Sequence, residues 1–406
     1  MSKYDELFAA TAPDDSVFVD KRVLDPLADP DEIHAREEQE HELATMLNGV
    51  HEDYLPPTVS IYGPPGTGKT LTTRRVCGEF VARHDELAVE YVNLKECRTL
   101  FSAANEIHFE LTGDRKKAYA GLDGVFAGIW DALADYPAWT VLLLDEIDHV
   151  RHDTNYDPND FFYRLLRGEG KLAREIDLSV WLLSNELLEV DLRLDSRVES
   201  AMSDEHVFFP PYDATDLEAV LAPRLERAFR DGALPADVQQ YGIREAARRW
   251  GDARKALTLF RQAGETATER GLDRVTRECI DANLETTERE ATIEKLLALP
   301  ANHFVVLTAI TGRDRGGEIK QPVTTREIHA LLQTDAYPAA LRLGERTIQT
   351  VVTDLETMGL VETWLESRGR DGRAKQIETP FDPQWVRDAI APYATDSSYL
   401  ATAFDS

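Results

Sequence analysis

The chain has 406 residues, which is enough for two or three domains with apolar cores of their own. Its 74 acidic residues outnumber 45 basic ones, and a net charge of −29 is typical of a protein that stays soluble in concentrated salt. The composition excludes a membrane span of roughly 18 to 20 apolar residues, an N-terminal signal peptide and a disulfide framework, so we predict a cytoplasmic protein with buried thiols.

The first functional pattern follows an acidic leader, a predicted helix over 37–47 and a short apolar strand, Thr58–Tyr62. Residues 63–70 match G-x-x-x-x-G-K-[ST], the phosphate-binding P-loop, and a helix is predicted directly after it. Backbone N–H groups of such a loop close around an anion, and the helix N-terminus adds partial positive charge. In this pattern the lysine reaches the β- and γ-phosphates and the last hydroxyl binds Mg²⁺. We predict that ATP or ADP is bound by Gly63, Pro64, Pro65, Gly66, Thr67, Gly68, Lys69, Thr70 and Leu71.

A second pattern is the apolar strand Thr140–Leu144, which ends in Asp145 and Glu146. Open α/β sheets place their ligands at the carboxyl ends of parallel strands. Asp145 is therefore predicted to bind the Mg²⁺ of the nucleotide together with Thr70, and Glu146 to polarise the attacking water.

Further strands are predicted at 88–93, 179–184 and 206–209, and their alternation with helices indicates a parallel sheet. Asn185 follows the strand beside Asp145 and is predicted to orient the lytic water. Arg197 is the candidate arginine finger, which would reach the γ-phosphate bound by a neighbouring subunit, and a solvated surface arginine is the alternative.

After Pro210 and Pro211 the sequence predicts helices and no strands, at 215–229, 236–250 and 252–270. Thr215 and Glu218 predict a capping box for the first of these helices. Arg254 begins the third helix and is predicted to fold over the nucleotide and respond to its state.

In the last part of the chain the sequence predicts three helices, at 303–310, 327–332 and 345–358, and then a hairpin of strands 360–365 and 375–379. This is the order of a helix-turn-helix with a wing. Residues 295–395 hold 12 basic and 13 acidic residues, whereas the rest of the chain carries a net charge of −28. A nearly neutral segment in an acidic chain is expected where the protein approaches phosphate. A protein-binding winged helix is the alternative. The predicted DNA contacts are Arg346, Thr347, Gln349 and Thr350 on the third helix, and Arg368, Arg370 and Arg373 at the wing.

Together these motifs, in this order over roughly residues 15 to 395, resemble the archaeal replication initiators of the origin-recognition/cell-division-cycle family of AAA+ ATPases. The resemblance implies that Tyr212 and Arg224 also contact the nucleotide. It implies a DNA-contacting helical insertion at 97–136, whose one basic triplet includes Lys116 and Lys117. It implies nucleoid-associated function: binding of double-stranded origin DNA, self-association on that DNA, and recruitment of the minichromosome maintenance helicase. The acidity points to a haloarchaeal member.

The predicted fold class is α/β: a AAA+ P-loop NTPase with a parallel sheet flanked by helices, an all-α lid and a C-terminal winged-helix domain. The predicted ranges are a leader and first helix at 1–55, counted with the base, the base at 56–210, the lid at 211–292, the winged helix at 293–395 and a tail at 396–406. The predicted activity is that of a slow Mg²⁺-dependent ATPase acting as a switch. The alternatives are a AAA+ remodeller or clamp-loader-like motor, and a winged-helix transcription regulator.

Overall fold

The computed structural model describes residues 4, 16–97, 99–147, 156–167, 177–185, 198, 205–312, 320–334, 342–367 and 373–390. Contacts divide the chain into two compact units, Met1–Ile280 and Asp281–Ser406. The first unit contains α1 Glu37–Asn48, β1 Thr58–Tyr62, α2 Lys69–Val81, β2 Leu87–Asn93, α3 Leu100–Thr112, α4 Gly121–Leu133, β3 Trp139–Asp145, α5 Pro158–Arg167, β4 Asp177–Ser184, β5 His206–Phe208, α6 Ala214–Ala228, α7 Ala236–Arg249 and α8 Ala253–Glu269. Helix α9, Arg277–Leu297, crosses the division, and the second unit continues with α10 Ala301–Ile310, β6 Val323–Thr324, α11 Thr325–Leu332, α12 Glu345–Thr357, β7 Glu362–Ser367, β8 Arg373–Glu378 and α13 Gln384–Ile390.

A five-stranded parallel sheet of order β2-β3-β4-β1-β5 forms the centre of the first unit. One face, with the fully buried Trp181, packs against Leu43 of α1 and Cys77 of α2. The other face packs against α3, α4 and α5 through residues such as Ile129 and Phe161. The central strands are apolar because both of their faces are covered. The predicted parallel sheet flanked by helices is confirmed.

The strand register brings the predicted site residues to one edge of this sheet. Tyr62 at the end of β1 pairs with Ser184 at the end of β4, and Asn93 of β2 pairs with Asp145 of β3. The loop after β1 therefore begins beside the residue that follows Ser184, and Asp145 lies on the far side of β4, at the end of β3. This carboxyl edge is where parallel α/β sheets place their ligands.

Helices α6, α7 and α8 pack on one another after the sheet, and the start of α6 differs from the prediction. The Asp213 carboxylate accepts the backbone N–H groups of Thr215 at 2.7 Å and Asp216 at 2.8 Å. The Asp216 carboxylate accepts the Asp213 N–H at 3.2 Å, which completes a capping box. The predicted box of Thr215 and Glu218 is wrong. The extended backbone of Asp213 places its carboxylate, two residues earlier, over the first free N–H groups.

Residues 16–31, here called the N-terminal strap, lie along α6 and not against the sheet. Phe18 forms a β-bridge with Phe229, and their ring centroids are 4.9 Å apart. Arg224 of α6 donates to the Ala28 carbonyl at 2.6 Å, and Arg75 of α2 donates to the same segment at 2.9 Å. The predicted division counted residues 1–55 with the base, whereas the strap joins α2 of the base to the helices that follow the sheet.

The three cysteines, Cys77, Cys97 and Cys279, are all buried and none of them forms a disulfide. Burial raises the pKa of Cys77 to about 12 and also raises the pKa of Cys97. Among the described helices none is long and apolar enough to cross a bilayer.

The second unit has the helix and strand order of a winged helix, with an antiparallel sheet of order β6-β8-β7. Ile348, Val352 and Leu355 of α12 are buried in its core, because their spacing places them on one face of the helix. Helix α11 begins with a capping box, since the Glu327 carboxylate accepts the Thr324 N–H at 2.8 Å and the Thr324 hydroxyl accepts the Glu327 N–H at 3.3 Å. The two-residue strand β6 and helix α13 are additions to the predicted elements. Residues 368–372 at the wing tip lie outside the described residues.

Candidate functional site

The loop between β1 and α2 has a backbone that only glycine adopts easily at three positions, the last of which is Gly68 with φ +89°. Gly63 has φ +149° and Gly66 has φ +72°. An added Cβ would lie 2.1 Å from the Phe209 carbonyl oxygen at the first position and 1.8 Å from an Asp252 oxygen at the second. Helix α2 then begins without a side-chain cap on its N–H groups. The loop therefore leads into a helix N-terminus whose N–H groups have no side-chain cap, which is an anion-binding arrangement.

Lys69 is buried under this loop, with 8% of its surface exposed. Its ammonium group donates to the carbonyl of Gly63 at 2.6 Å, to that of Pro64 at 3.0 Å, and to Oδ1 of Asn185 at 3.4 Å. Two predicted residues, one at the start of α2 and one directly after β4, thus meet at one point. A charged donor held among carbonyls beside the loop is suited to a phosphate group.

Asp145 gathers three hydrogen bonds at the end of β3. Its Oδ2 accepts from the hydroxyls of Tyr91 at 2.8 Å and Thr70 at 2.9 Å, and its Oδ1 accepts the Glu146 N–H at 3.0 Å. Burial raises the pKa of the Asp145 carboxyl, while the two hydroxyl donors oppose that change. Burial and the nearby Asp145 carboxylate raise the pKa of Tyr91 to about 12. Carboxylate and hydroxyl oxygens are the ligands that Mg²⁺ prefers, so Thr70 and Asp145 fit the predicted metal site.

Glu146 is half-buried beside this cluster and adopts an unusual backbone conformation. Its φ is +57°, a left-handed value that costs a residue with a side chain about 1 kcal/mol or more. Such strain is found most often at functional positions. The role of Glu146 in polarising a water stays a prediction.

Helix α8 begins directly on the P-loop. The Ala253 N–H donates to the Gly66 carbonyl at 3.2 Å. The buried Asp252 carboxylate caps the helix by accepting the N–H groups of Arg254 at 2.8 Å and Lys255 at 3.1 Å. Burial raises the pKa of this carboxyl. The side chain of Arg254 is exposed at the same helix start, so the structure places this predicted residue next to the loop.

Arg36 is a site residue that sequence reasoning missed. It is 3% exposed and donates to the carbonyls of Thr67 at 2.8 Å and Pro210 at 2.8 Å. Its guanidinium lies 3.6 Å from the ring centroid of Tyr212, whose hydroxyl would lie 2.9 Å from a Cβ on Gly68. Burial lowers the pKa of Arg36, an effect that Tyr212 opposes. The signal that was available is the position of Arg36 just before an acidic helix start, which by itself does not indicate burial.

The remaining predicted residues of the first unit have the following places. Arg224 donates to the N-terminal strap, as described above, and its nucleotide contact stays a prediction. Arg197 lies outside the described residues. In the helical insertion, Lys117 is exposed and Lys116 is half-buried, with its stem close to Gly128 of α4. Their DNA contacts are also untested predictions.

In the second unit, the predicted DNA residues of α12 form an exposed face at the start of the helix. Arg346, Thr347, Gln349 and Thr350 are all exposed, while Ile348 between them is buried in the core. This spacing follows from the helical period, which turns one residue inward and its neighbours outward. Arg368 and Arg370 lie outside the described residues, as does the side chain of Arg373 at the start of β8.

Two family profiles match the first unit. The AAA domain matches residues 56–188, and the Cdc6 AAA+ ATPase-type lid domain matches residues 218–283. These ranges contain the P-loop, Asp145 and Asn185, and then helices α6 to α8.

Similar proteins extend over nearly the whole chain. The ORC1-type DNA replication protein of Thermococcus kodakarensis is 31% identical over 385 residues, which cover 92% of this chain and 90% of that protein. The protein of the same description from Pyrococcus abyssi is 32% identical and covers 97% of this chain and 96% of its own length. The solved Aeropyrum pernix ORC1 protein in complex with DNA has a TM-score of 0.70 at 29% identity, covering 95% of this chain and 98% of that one. Cdc6p from Pyrobaculum aerophilum shares the fold, with a TM-score of 0.56 at 20% identity.

Proposed function

Because the chain belongs to the family of ORC1-type DNA replication proteins, we propose that it is an ATP-controlled initiator that binds double-stranded origin DNA. Bound ATP or ADP sets how firmly the protein holds DNA and its partners. The DNA-bound protein helps to load the minichromosome maintenance helicase. Hydrolysis is slow, because Arg197 of one copy has to reach the nucleotide of another.

One observation carries the switch: helix α8 starts on the P-loop. The Ala253 N–H bonds the Gly66 carbonyl, and the Asp252 carboxylate touches Gly66. A phosphate group that changes the backbone of this loop also moves the start of α8 and with it Arg254. The nucleotide is therefore coupled to the helices after the sheet by direct contact.

Residues of this chain supply each part of the nucleotide chemistry. The N–H groups at the start of α2 and the Lys69 side chain bind phosphate oxygens, and Thr70 with Asp145 holds Mg²⁺. Mg²⁺ supplies charge neutralisation of the phosphates when bound. Asn185, which contacts Lys69, is placed to orient a water, and Glu146 to accept its proton.

For DNA binding, the exposed start of α12 supplies the contacts. Arginine and glutamine side chains form bidentate hydrogen bonds with guanine and adenine in the major groove. The low net charge of residues 295–395 means that this segment itself repels phosphates far less than the rest of the chain does. The wing arginines Arg368, Arg370 and Arg373, and the insertion residues Lys116 and Lys117, add phosphate contacts.

The test is footprinting and affinity measurement on DNA that flanks the encoding gene, against random DNA, at high salt with ATP or ADP. We expect preferred binding to a repeated element that depends on the nucleotide. The double variant Arg346→Ala with Gln349→Ala should lose about 10- to 100-fold in affinity for that element. Arg289→Ala is the matched control, because this arginine of the same unit pairs with Asp388 at 2.8 Å and lies off α12.

Other outcomes identify the alternatives. Equal affinity for the flanking and random DNA contradicts the origin proposal. Preference for promoter fragments favours an ATP-gated transcription regulator. Strong ATP turnover stimulated by a protein substrate, with no DNA affinity, favours a remodelling or clamp-loading motor.

A further inference from the structure

We propose that Tyr91 is a positioning residue for the magnesium site, which holds the Asp145 carboxylate in the orientation that the metal requires. This inference rests on the proposed nucleotide site. Tyr91 lies on β2, outside the P-loop and outside the Asp145-Glu146 pair.

The strand register places Tyr91 on the same face of the sheet as Asp145. Asn93 pairs with Asp145 and Tyr91 pairs with Leu143, so side chains two residues apart on each strand share one face. That face is the one covered by α2, the helix that follows the P-loop. The Tyr91 hydroxyl therefore approaches Asp145 from the side of Thr70.

The hydrogen bonds leave the Asp145 carboxylate little freedom. Tyr91 and Thr70 both donate to Oδ2, and the Glu146 N–H donates to Oδ1. A carboxylate has about four acceptor positions, so three donors fix its plane and leave roughly one position for the metal's coordination sphere. Partners of this kind typically change metal affinity by 10- to 100-fold when removed.

Tyr91 is itself held from two sides. The Asn93 amide donates to the Tyr91 hydroxyl at 3.2 Å, which leaves the phenol proton for Asp145. The Arg74 guanidinium lies 4.5 Å from the centroid of the Tyr91 ring. A phenol fixed by an amide and an arginine holds its proton on one acceptor, as a positioning role requires.

The chain offers a matched control on the opposite face of the sheet. Tyr136 donates to Oε1 of Glu90 at 3.0 Å, and Glu90 precedes Tyr91 on the same strand. Burial and the carboxylate raise the pKa of Tyr136 to about 12, so the two phenols are chemically alike. Tyr136 packs with the helices of the insertion and not with α2.

The experiment compares Tyr91→Phe and Tyr136→Phe by titrating a fluorescent ATP analogue with Mg²⁺ and, separately, with EDTA. We expect Tyr91→Phe to weaken the affinity in Mg²⁺ by about tenfold, to raise the Mg²⁺ concentration at half-saturation, and to leave the EDTA affinity unchanged. Tyr136→Phe should match wild type in both. In an Asp145→Asn background, Tyr91→Phe should have no further effect, because the group that it positions has been removed.

Equal weakening with Mg²⁺ and with EDTA would show a purely structural role and overturn the inference, as would no change in either. If Tyr91→Phe fails to fold, Asn93→Ala replaces it, with an expected Mg²⁺-specific loss of about threefold. Unchanged Mg²⁺ dependence in Asn93→Ala then overturns the inference. A wild-type chain that binds no nucleotide overturns the proposed function, whereas nucleotide binding that ignores Tyr91 overturns this inference alone.

Discussion

The P-loop edge and the exposed start of α12 are built in opposite ways. At the P-loop edge, Lys69, Asp145 and Arg36 are buried and already bonded to protein atoms. At the start of α12, Arg346 and Gln349 are exposed, and the buried Ile348 between them anchors the helix. The difference teaches that the proposed nucleotide site is a pre-organised interior, whereas the proposed DNA surface is an anchored helix that carries exposed groups. Changes at the first region should affect stability and binding together, and changes at the second should affect binding alone.

The largest expected effect is on nucleotide affinity. In the proposed site the Lys69 ammonium group contacts two phosphates, so Lys69→Ala removes two charge-assisted contacts of about 2 kcal/mol each, which predicts a loss on the order of 1,000-fold. Isothermal titration with ATP measures this loss, with Lys295→Ala of the second unit as the control. Retention of affinity within a few-fold would mean that this edge does not bind phosphate.

The next effect is on folding stability. Gly66→Ala places a Cβ against the Asp252 carboxylate in a left-handed backbone, so we expect a loss of about 3 kcal/mol in the free energy of unfolding. Gly78→Ala is the matched control: nothing lies within 4 Å of its Cβ position in α2, and alanine there should stabilise by about 0.5 to 1 kcal/mol. Urea unfolding measures both. Similar stabilities for the two variants would refute the close packing of the Asp252 carboxylate on Gly66 of the P-loop.

A smaller loss is expected at the buried arginine. Arg36→Lys keeps the charge but loses the planar contact with Tyr212 and part of the bonding to the Thr67 and Pro210 carbonyls, at about 2 kcal/mol. Arg22→Lys, whose side chain is 91% exposed, should change the stability by less than about 0.5 kcal/mol. Thermal unfolding of both variants with and without ATP makes the comparison. An Arg36→Lys variant as stable as Arg22→Lys would mean that the interior of this edge is not pre-organised by Arg36.

The charge contrast between the two regions predicts a dependence on salt. Most of the net −29 lies outside residues 295–395, and at molar salt the Debye length falls to about 3 Å, which removes repulsion between acidic groups. The melting temperature should therefore rise from dilute buffer to molar KCl. Higher stability in dilute buffer would contradict the proposed haloarchaeal adaptation.

The smallest effect is on the pH dependence of stability. Burial raises the folded-state pKa of Asp252, so the folded protein binds a proton more readily than the unfolded chain. This group therefore favours folding at low pH, and its contribution is lost as pH rises from the unfolded carboxyl pKa through the raised folded value. Asp252→Asn keeps a capping oxygen and should lack that decline. The melting temperature of the variant minus that of wild type should therefore increase from pH 4 to pH 7. A constant difference would show that Asp252 is not desolvated.

Residues whose roles depend on local backbone were predictable from sequence. The P-loop, the strand before Asp145 and the capping box at Thr324 each follow from a short stretch of chain, because glycine, β-branched and capping residues act locally. Asn185 was also predictable, since strand ends of a parallel sheet meet at one edge.

Residues whose roles depend on contacts between distant segments were not predictable. Tyr91 reaches Asp145, 54 residues away, and Arg36 reaches Pro210, 174 residues away. A tyrosine in a strand and an arginine before a helix are ordinary in a sequence. The capping box at Asp213 was missed for a different reason: two overlapping patterns competed, and the path of the chain from the sheet selected the earlier one.

The three buried cysteines have a practical consequence for measuring the proposed movement of α8 and its neighbouring helices when nucleotide binds. Thiol-reactive dyes attack the thiolate, and burial together with a raised pKa protects Cys77 and Cys97 from them. A new cysteine at an exposed position, such as Glu218 on α6, can thus be labelled with a maleimide fluorophore in the otherwise native chain. Resonance energy transfer between two such labels would follow nucleotide-driven rearrangement in real time.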